Sequence, residues 1–376
     1  MNLKLLTPCL VLAGALLFSC DNDDNGTPSL QIPDTYEFTR NGQSSVFYGG
    51  QTDRLNQTSE IKAYFQKGDK KEITLDAETL LAMYENAGGD GDGNFSFTSD
   101  RQLKDKTFPP DVAFFEDLFA DAEDASAAGL DAANGTAGFI TRKNGATMLV
   151  DANGHEYTQT FEKGIMGSVF LHQIFNVYMT DARVGDDVEN TELDGSNNYT
   201  PMEHHWDEAF GYWGVPVDFP NNTANLRFFA NYSNGRDPLI GSNKMLMDAF
   251  LTGRAAIVAK NYPVKNEQRE IIYKGFELVT AATAIHYLNT AKELLGEGPA
   301  SLGEAFHALS EGYMFIRALR ISPKKRISDA NINAILNTHI GENFWELPES
   351  DLSGLDEAID LLVDAFPELA DVKDAL

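Results

Sequence analysis

Histidine and carboxylate side chains recur at helical spacing in two places of the sequence. Glu208 follows His205 by three residues, and Glu311 follows His307 by four. At either spacing, an imidazole and a carboxylate lie on the same face of a helix, where they can share a proton or bind a metal ion together. The other interpretation of each pair is a hydrogen-bonded pair that fills a seam between packed helices.

A third candidate site is the acidic loop DGDGNFS, in which Asp90, Asp92 and Asn94 have the alternate spacing of a calcium-binding loop. Such loops need glycine at the sixth position and glutamate at the twelfth, but here these positions hold Phe95 and Arg101. A flexible acidic turn is therefore the alternative interpretation.

Several other classes of protein are excluded by composition and motif. The sequence contains no HExxH, no G-x-S-x-G and no phosphate-binding P-loop. Its only cysteines are Cys9 and Cys20, so a mature body that starts at Cys20 has no disulfide and no free thiolate ligand. The formal net charge of -28 has the wrong sign for a nucleic-acid-binding protein.

The first histidine pair must be positioned by a helix that begins within YTPMEHHWDEAFGYWG, residues 199–214. Thr200 and Glu203 predict a capping box with Pro201 at the first helical position. The helical spacing predicts an apolar face with His205 at its border. It places these residues on that face: Met202, Trp206, Ala209, Phe210 and Trp213. It directs these residues toward solvent: His204, Asp207 and Gly211.

The second pair lies on a helix predicted over 301–320, which is apolar on most of its circumference and is therefore expected to be buried. Glu304 belongs to the same polar stripe as His307 and Glu311. Polar groups on so apolar a helix need partners, and a satisfied buried network is the alternative to a metal site. His172 and His286 are similar isolated polar residues in apolar surroundings.

The remaining pattern predicts a mainly helical, all-α fold with a small β-hairpin over 137–157, where Asn-Gly turns occur. An extended segment over 32–51 is expected to turn at Asn41-Gly42. The long loop near 185–200 divides the body, 32–376, into possible halves 32–184 and 200–376. The other predicted helices are 53–67, 76–87, 110–128, 156–181, 243–260, 266–296, 328–338 and 353–363.

The N-terminal segment has one basic residue, Lys4, followed by an apolar run over 5–18. This run is too short for a permanent membrane-spanning helix and has the dimensions of a secretory signal. It ends in Leu-Phe-Ser-Cys, which resembles the lipobox of bacterial lipoproteins and implies that Cys20 is diacylated. We therefore expect a signal peptide at 1–19, an acidic tether at 20–31, and a cell-envelope lipoprotein attached to the outer membrane.

The acidic residues directly after Cys20 are similar to the surface-export signal of Bacteroidetes lipoproteins. Surface display and attachment facing the periplasm both remain open. In either case the partner is a membrane, reached through the lipidated cysteine, and nucleic acid is not a partner.

Four segments rich in aromatic residues resemble the family called domain of unknown function 4856, found in Bacteroidetes lipoproteins. They are 35–61, 162–167, 199–214 and 305–320, and the resemblance extends from about residue 32 to 340. No activity is established for this family. Its helical organisation is similar to that of the imelysin-like proteins, which are cell-envelope proteins associated with iron uptake.

Imelysin-like proteins carry a G-x-H-x-x-E motif. His205 and Glu208 match its H-x-x-E part, whereas Glu203 stands at the position of the glycine. The resemblance implies an imelysin-like helical bundle in one or two packed halves. It also implies His205 and Glu208 as ligands of iron or another divalent cation, and an envelope receptor or uptake component as a partner.

The sequence thus favours a ligand-binding envelope protein associated with iron or metal uptake, and not an enzyme. An accessory or structural subunit of an envelope complex, without a site of its own, is the alternative. A hydrolase of metallopeptidase type would need a complete set of catalytic roles, and only fragments of such a set are visible.

Overall fold

The structure, a computed structural model, describes residues 30–376. The predicted signal peptide at 1–19, Cys20 and the predicted tether up to residue 29 lie outside the described residues. Within residues 30–376, none of the helices combines the length and apolar character that crossing a membrane requires.

The fold is mainly helical, as the apolar spacing predicts. Most of the predicted helices begin and end close to the predicted bounds, because they carry a stripe of buried apolar side chains. The described residues contain twelve α-helices. They are α1 Gly49–Asp69, α2 Ala77–Glu85, α3 Val112–Ala128, α4 Tyr157–Ile165, α5 Asp181–Val184, α6 Pro201–Gly211, α7 Phe229–Ile240, α8 Ser242–Val258, α9 Tyr262–Gly296, α10 Leu302–Ala318, α11 Asp329–Ala334 and α12 Ser353–Ala365.

Three segments continue helices in the wider π-helical form. Met166–Leu171 and Gln173–Tyr178 extend α4, so that together they cover most of the helix predicted over 156–181. Ile335–His339 extends α11 in the same way. Such π-helical turns occur often beside functional sites, and the third segment borders the cleft described below.

Two short antiparallel hairpins complete the fold among the described residues. β1 Thr39–Arg40 pairs with β2 Gln43–Ser44 around the predicted Asn41-Gly42 turn, where Asn41 has φ 54° and Gly42 has φ 77°. β3 Gly138–Thr141 pairs with β4 Thr147–Val150 and confirms the predicted small hairpin. The chain passes directly from β4 into a turn that leads to α4.

The long helix α9 lies at the centre of the fold, between α8 and α10. Its 35 residues begin at a capped end, where the Asn261 side chain accepts a hydrogen bond from the backbone N–H of Val264. α9 packs closely on α8 at Gly275, where a Cβ atom would lie 2.6 Å from Cδ2 of Leu246. Alanine at this position would therefore require the Leu246 side chain to shift.

Helix α7 is absent from the sequence prediction. Its sequence, FANYSNGRDPLI, contains a proline, Pro238, inside the helix and buries only Phe229, Ala230 and Ser233. Without an apolar stripe, the sequence pattern gives no signal, and packing against α8 and α9 fixes the helix instead. Buried apolar side chains form one continuous core from Tyr36 to Leu376, with members on both sides of the 185–200 loop.

Candidate functional site

A cleft of about 480 Å³ opens between α3, the turn before α4, the C-terminal half of α10 and the π-helical segment Ile335–His339. The packing of α10 on α4, and of α4 on α3, brings these elements together. Each element presents polar side chains to the same space, although the elements are far apart in the sequence. The cleft is therefore a product of tertiary packing.

One wall of the cleft is acidic. Asp117 and Asp121 are one helical turn apart on α3, and Asp151 comes from the turn that follows β4. No lysine, arginine or histidine within residues 30–376 forms an ion pair with any of these three carboxylates. Burial raises the pKa of Asp121, and the charges of Asp117 and Asp151 raise it further. The cleft therefore holds uncompensated negative charge on this side.

The acidic wall is fixed by hydrogen bonds in the turn before α4. Oδ1 of Asp151 accepts from the backbone N–H groups of Asn153 and His155, both at 2.8 Å. The Tyr157 hydroxyl donates to the backbone carbonyl of Asp121 across 3.2 Å. Backbone N–H groups therefore hold the Asp151 carboxylate, and the Tyr157 hydroxyl joins α4 to α3.

The other end of the cleft is basic. Arg317 donates from Nη2 to Oδ1 of Asp111 at 2.7 Å, and its guanidinium lies 3.8 Å from the centroid of the Phe114 ring. Arg320, one turn further along the chain, donates from Nη2 to Oδ1 of Asn333 at 2.6 Å. Each guanidinium has five N–H donors, so both retain donors beyond these bonds.

Aromatic rings form the floor between the two ends. The imidazole of His155 stacks on Phe344 at 4.0 Å and meets the edge of Tyr313 at 4.9 Å. Its Nε2 donates to the backbone carbonyl of Glu342 at 2.8 Å. His155 is therefore occupied in holding the floor, and Tyr313 presents the exposed part of this surface to the cleft.

Thr160 supplies the one buried hydroxyl of the cleft wall that lacks a partner. The residue is 6% exposed, and Oγ1 makes no hydrogen bond within residues 30–376. A buried polar atom without a hydrogen bond lowers the stability of the folded state by about 1–3 kcal/mol. Thr160 is also one of the residues that line the cleft.

A polar groove of about 730 Å³ adjoins the cleft, and Asn337 and Glu342 line both spaces. It also contains His339, Glu346 and Asp351. On the opposite side, a void of about 10 Å³ behind Met314 and Arg317 reaches the buried Lys163. On its inner side, the cleft therefore borders a charged layer of the core that contains Lys163, Glu311 and His307.

That charged layer contains His307 and Glu311, and both face inward as the sequence predicts. The two ring nitrogens of His307 contact carboxylates, Nδ1 at 2.6 Å from Glu156 and Nε2 at 3.3 Å from Glu311. Burial alone would lower the pKa of His307, but the hydrogen bond to Glu156 raises it. Both ring nitrogens of His307 therefore face carboxylates, Nδ1 through a hydrogen bond to Glu156 and Nε2 through the contact with Glu311.

Lys163 neutralises the acids of the same layer. Its Nζ lies 2.5 Å from Glu162 and 3.5 Å from Glu311, and the side chain is 2% exposed. Burial would lower the pKa of Lys163, but the charges of Glu162 and Glu311 raise it above its usual value. The Tyr232 hydroxyl also donates to Glu311. This is a satisfied buried network.

The structure places His205 and Glu208 on α6, as predicted, but His204 is the histidine in contact with Glu208, at 3.8 Å. Nδ1 of His205 donates to the carbonyl of Arg183, and Nε2 accepts from Nη1 of the same residue. Burial lowers the pKa of His205. Gln51 donates to Glu208. Both ring nitrogens of His205 are thus used by one neighbour.

The prediction that Asp207 and Gly211 point toward solvent is wrong. Asp207 is 0% exposed and accepts from the Tyr36 hydroxyl and from Nε of Arg254, each at 2.9 Å. Burial raises the pKa of Asp207 to about 6, although Arg254 acts to lower it. Gly211 packs under Tyr48. The face appears polar in sequence because its partners come from α8 and from the segment before α1.

The remaining predictions for α6 are confirmed. Thr200 and Glu203 form the capping box with Pro201 in the first turn. The predicted apolar residues are all buried: Met202, Trp206, Ala209, Phe210 and Trp213. Glu203 is also paired with Arg254, so the residue at the glycine position of the imelysin-like motif holds α6 on α8.

The histidines and acids singled out in sequence do not meet at one place. His205 lies at the contact of α6 with Arg183 of α5, and His307 lies between α10 and α4. His172 packs against Phe108 at a third seam. Within residues 30–376, no group of three or more His, Cys, Asp or Glu side chains could hold a metal ion. The donor sets do not fit iron or another divalent cation held by side chains alone.

The loop with Asp90, Asp92 and Asn94 folds on itself. Oδ1 of Asp90 accepts from the backbone N–H of Gly93, and the Asn94 amide donates to the carbonyls of Gly91 and Asp92. Asn94 therefore directs its amide nitrogen inward. These contacts are those of a tight turn.

Sequence reasoning missed the cleft. The available signal was the pair Asp117 and Asp121 at i, i+4 on α3, beside the apolar stripe of that helix. Nothing local connects this pair with Thr160 or with Arg317, which come from helices 30 or more residues away.

A family model described as Domain of unknown function (DUF4856) matches residues 33–362. The match covers most of the chain and includes α1 to α11. No curated protein and no solved structure matches the chain. The similarity to imelysin-like proteins stays a prediction.

Proposed function

Because this chain belongs to the family described as Domain of unknown function (DUF4856), whose description states no activity, we propose its function from the cleft. The protein binds a small organic ligand between α3, α4 and α10 and presents this site at the cell envelope. The cleft has about 480 Å³, and small-molecule sites commonly occupy about 300–1,000 Å³.

The observation that carries this proposal is the hydroxyl of Thr160. It is buried, it lines the cleft, and it lacks a hydrogen-bond partner among the described residues. A ligand that bonds to Oγ1 removes the cost of the unpaired hydroxyl. The neighbouring polar groups that orient such a ligand are already fixed by backbone contacts, as at Asp151 and His155.

An organic ligand fits this chain better than a bare metal ion. The rings of His205 and His307 both have two engaged nitrogens. An association with iron or metal uptake therefore requires a metal that arrives as a chelate, because the chelator then supplies the donors that the side chains lack. The association with iron or metal uptake, which the imelysin-like resemblance implies, is therefore part of the proposal in the form of a bound metal chelate.

Attachment to the outer membrane through a lipid on Cys20 is also part of the proposal, with surface display and a periplasm-facing position both open. The support is the apolar run that ends at Cys20 and the acidic residues that follow it. Each acyl methylene buried in the bilayer contributes about 0.8 kcal/mol, so two or three chains hold a protein firmly. A receptor or uptake component in the same envelope is the proposed partner.

The binding proposal is tested with the full chain purified in detergent. Thermal unfolding is recorded with four probes of different chemistry: ferric citrate, trialanine, maltotriose and spermidine. Any probe that raises the unfolding temperature is titrated by calorimetry into wild type and Thr160→Val. We expect at least one probe to bind, and about tenfold weaker binding in the variant, the loss that one hydrogen bond causes.

The matched control is Thr283→Val, because Thr283 is buried in α9 with Oγ1 bonded to the Val279 carbonyl and does not line the cleft. It should bind the probe as wild type does. Equal binding by Thr160→Val and wild type would contradict the proposal. Absence of binding by all four probes would favour the accessory-subunit interpretation.

A further inference from the structure

Five of the charged residues that line the cleft separate by position into an acidic and a basic group, which are Asp117, Asp121 and Asp151, and Arg317 and Arg320. Phe114, which carries the Arg317 guanidinium on its ring, lies near the beginning of α3. Asp121 lies seven residues later on the same helix, which is about 10 Å along the axis at 1.5 Å per residue. The spacing puts both residues on one face. One end of the cleft is thus basic and the other acidic.

Two further charged lining residues, Asp151 and Arg320, extend the two ends. Asp151 belongs to the acidic end, because its charge is close enough to Asp121 to raise the pKa of that carboxyl group. Arg320 follows Arg317 by one turn and belongs to the basic end. The sorting therefore does not depend on a single residue at either end.

The buried hydroxyl lies between the two ends. Thr160 follows Tyr157, whose own hydroxyl reaches Asp121, by one helical turn. One turn further along α4, a Cβ atom at Gly164 would meet Phe115, the neighbour of Phe114. α4 therefore runs from the acidic end toward the basic end, and Thr160 occupies the middle of the cleft wall.

We propose that the ligand is a short linear zwitterion of tripeptide length. Its ammonium group lies among Asp117, Asp121 and Asp151, its carboxylate lies at Arg317 and Arg320, and a central amide bonds to Oγ1 of Thr160. An extended chain covers about 3.3–3.6 Å per residue, so three residues span about 10 Å. This inference rests on the proposed function, because it names the ligand class of the same cleft.

Competing ligand classes fit the lining less well. A polyamine would place a second cation against the guanidinium groups of Arg317 and Arg320. A neutral sugar would leave the carboxylates of Asp117 and Asp121 without a counter-charge. A metal ion is disfavoured because the described residues contain no ligand group of three or more acids or histidines.

The first test measures length and end charges in the full chain by calorimetry. The probes are alanine peptides of one to five residues, together with N-acetyl-trialanine and trialanine amide. We expect the tightest binding at three residues. We expect loss of either end charge to weaken binding about tenfold or more, as for charge-assisted hydrogen bonds. Equal binding of the blocked peptides, or affinity independent of length, would overturn the inference.

The second test assigns each end to its residues. In Asp121→Asn, N-acetylation should weaken binding less than it does in wild type, whereas amidation should weaken it as much as before. Arg320→Gln should show the reverse pattern. Two control variants change charges outside the cleft. Asp124→Asn changes a residue of α3 that does not line the cleft, and Arg326→Gln removes a surface ion pair with Glu368. Both controls should keep the wild-type pattern. Blocked peptides that remain equally weak in Asp121→Asn and Arg320→Gln would contradict the assignment.

The outcome also separates this inference from the proposed function. Binding of maltotriose or spermidine without any binding of trialanine would overturn the zwitterion and keep the cleft as a ligand site. Absence of binding by every probe would contradict both the zwitterionic ligand and the proposed binding function.

Discussion

Nε of Arg254 donates to Oδ1 of Asp207 across 2.9 Å, and both side chains are 0% exposed. The same guanidinium donates from Nη1 to Glu203 and from Nη2 to the Ser45 carbonyl. One buried cation therefore joins α8, α6 and the segment before α1. The arrangement leaves each charge hydrogen-bonded, which is the condition under which a buried ion pair is tolerated.

Removing this cation should destabilise the protein strongly. Arg254→Met leaves Asp207 and Glu203 without their main counter-charge in the core, and breaking a buried pair costs about 3–5 kcal/mol. Urea unfolding monitored by tryptophan fluorescence should show a loss of unfolding free energy of this order. Trp206 reports on this region because it lies on α6, the helix that carries Asp207 and Glu203. Arg326→Met, which removes a partly exposed pair with Glu368, should cost less than about 1 kcal/mol.

The stability of the protein should depend on pH through Asp69. Burial, together with the charge of Glu156, raises the pKa of Asp69 from 3.8 to about 7. The other groups that face it are Thr158 and the N–H of Leu149, which donate to it, and His307, whose charge lowers its pKa. Between about pH 4 and pH 7 the folded state binds the extra proton, so this contribution to stability falls as the pH rises.

Asp69→Asn removes that titration. The free energy of unfolding of wild type, minus that of Asp69→Asn, should decrease by a few kcal/mol between pH 4 and pH 7 and then stay constant. Urea titrations at intervals of half a pH unit measure this difference. Parallel curves for the two proteins over this range would show that Asp69 is not the group responsible.

Thr160→Val should not destabilise the ligand-free protein. Valine has nearly the same shape and removes a buried hydroxyl without a partner, so we expect the unfolding free energy to stay equal or to rise by up to about 1 kcal/mol. Thr283→Val removes a hydroxyl bonded at 2.7 Å and should cost about 1 kcal/mol. A loss in Thr160→Val as large as in Thr283→Val would mean that Oγ1 already has a partner, such as a bound water.

The sequence was sufficient for most of the helices and for the inward direction of some polar groups. The capping box at Thr200 and the hairpin turn of β3 and β4 depend on residues close together in the chain, so local patterns predict them. His307 and Glu311 were predicted inside because their helix is apolar on most sides. Helix α7 was not predicted, since Pro238 and its polar composition hide a helix that tertiary packing fixes.

The cleft itself could not be predicted in the same way. Asp207 was expected at the surface because a helical pattern does not show that Arg254 will cover that face. Likewise, Asp121, Thr160 and Arg317 come from three helices, and their meeting depends on how α10 packs on α4. Sequence patterns identify the side of a helix that is apolar, but they do not identify the element that packs against the polar side.

Lipidation of Cys20 remains a prediction that one substitution tests. Cells that express the full chain and are fed an alkyne-labelled palmitate should yield labelled protein in the membrane fraction. Cys20→Ser should lose the label, because the thiol is the acylated group. Cys9→Ser should keep it, because Cys9 lies within the predicted signal peptide. Label retained in Cys20→Ser would contradict the anchor.

The central claim is that the cleft binds a short zwitterionic peptide, and a crystal structure of the full chain with trialanine tests it most directly. The account predicts density between Asp121 and Arg317, with a peptide amide within hydrogen-bond distance of Oγ1 of Thr160. Peptide bound elsewhere, for example beside His205 and Glu208, or a cleft that holds only water at saturating peptide, would contradict it.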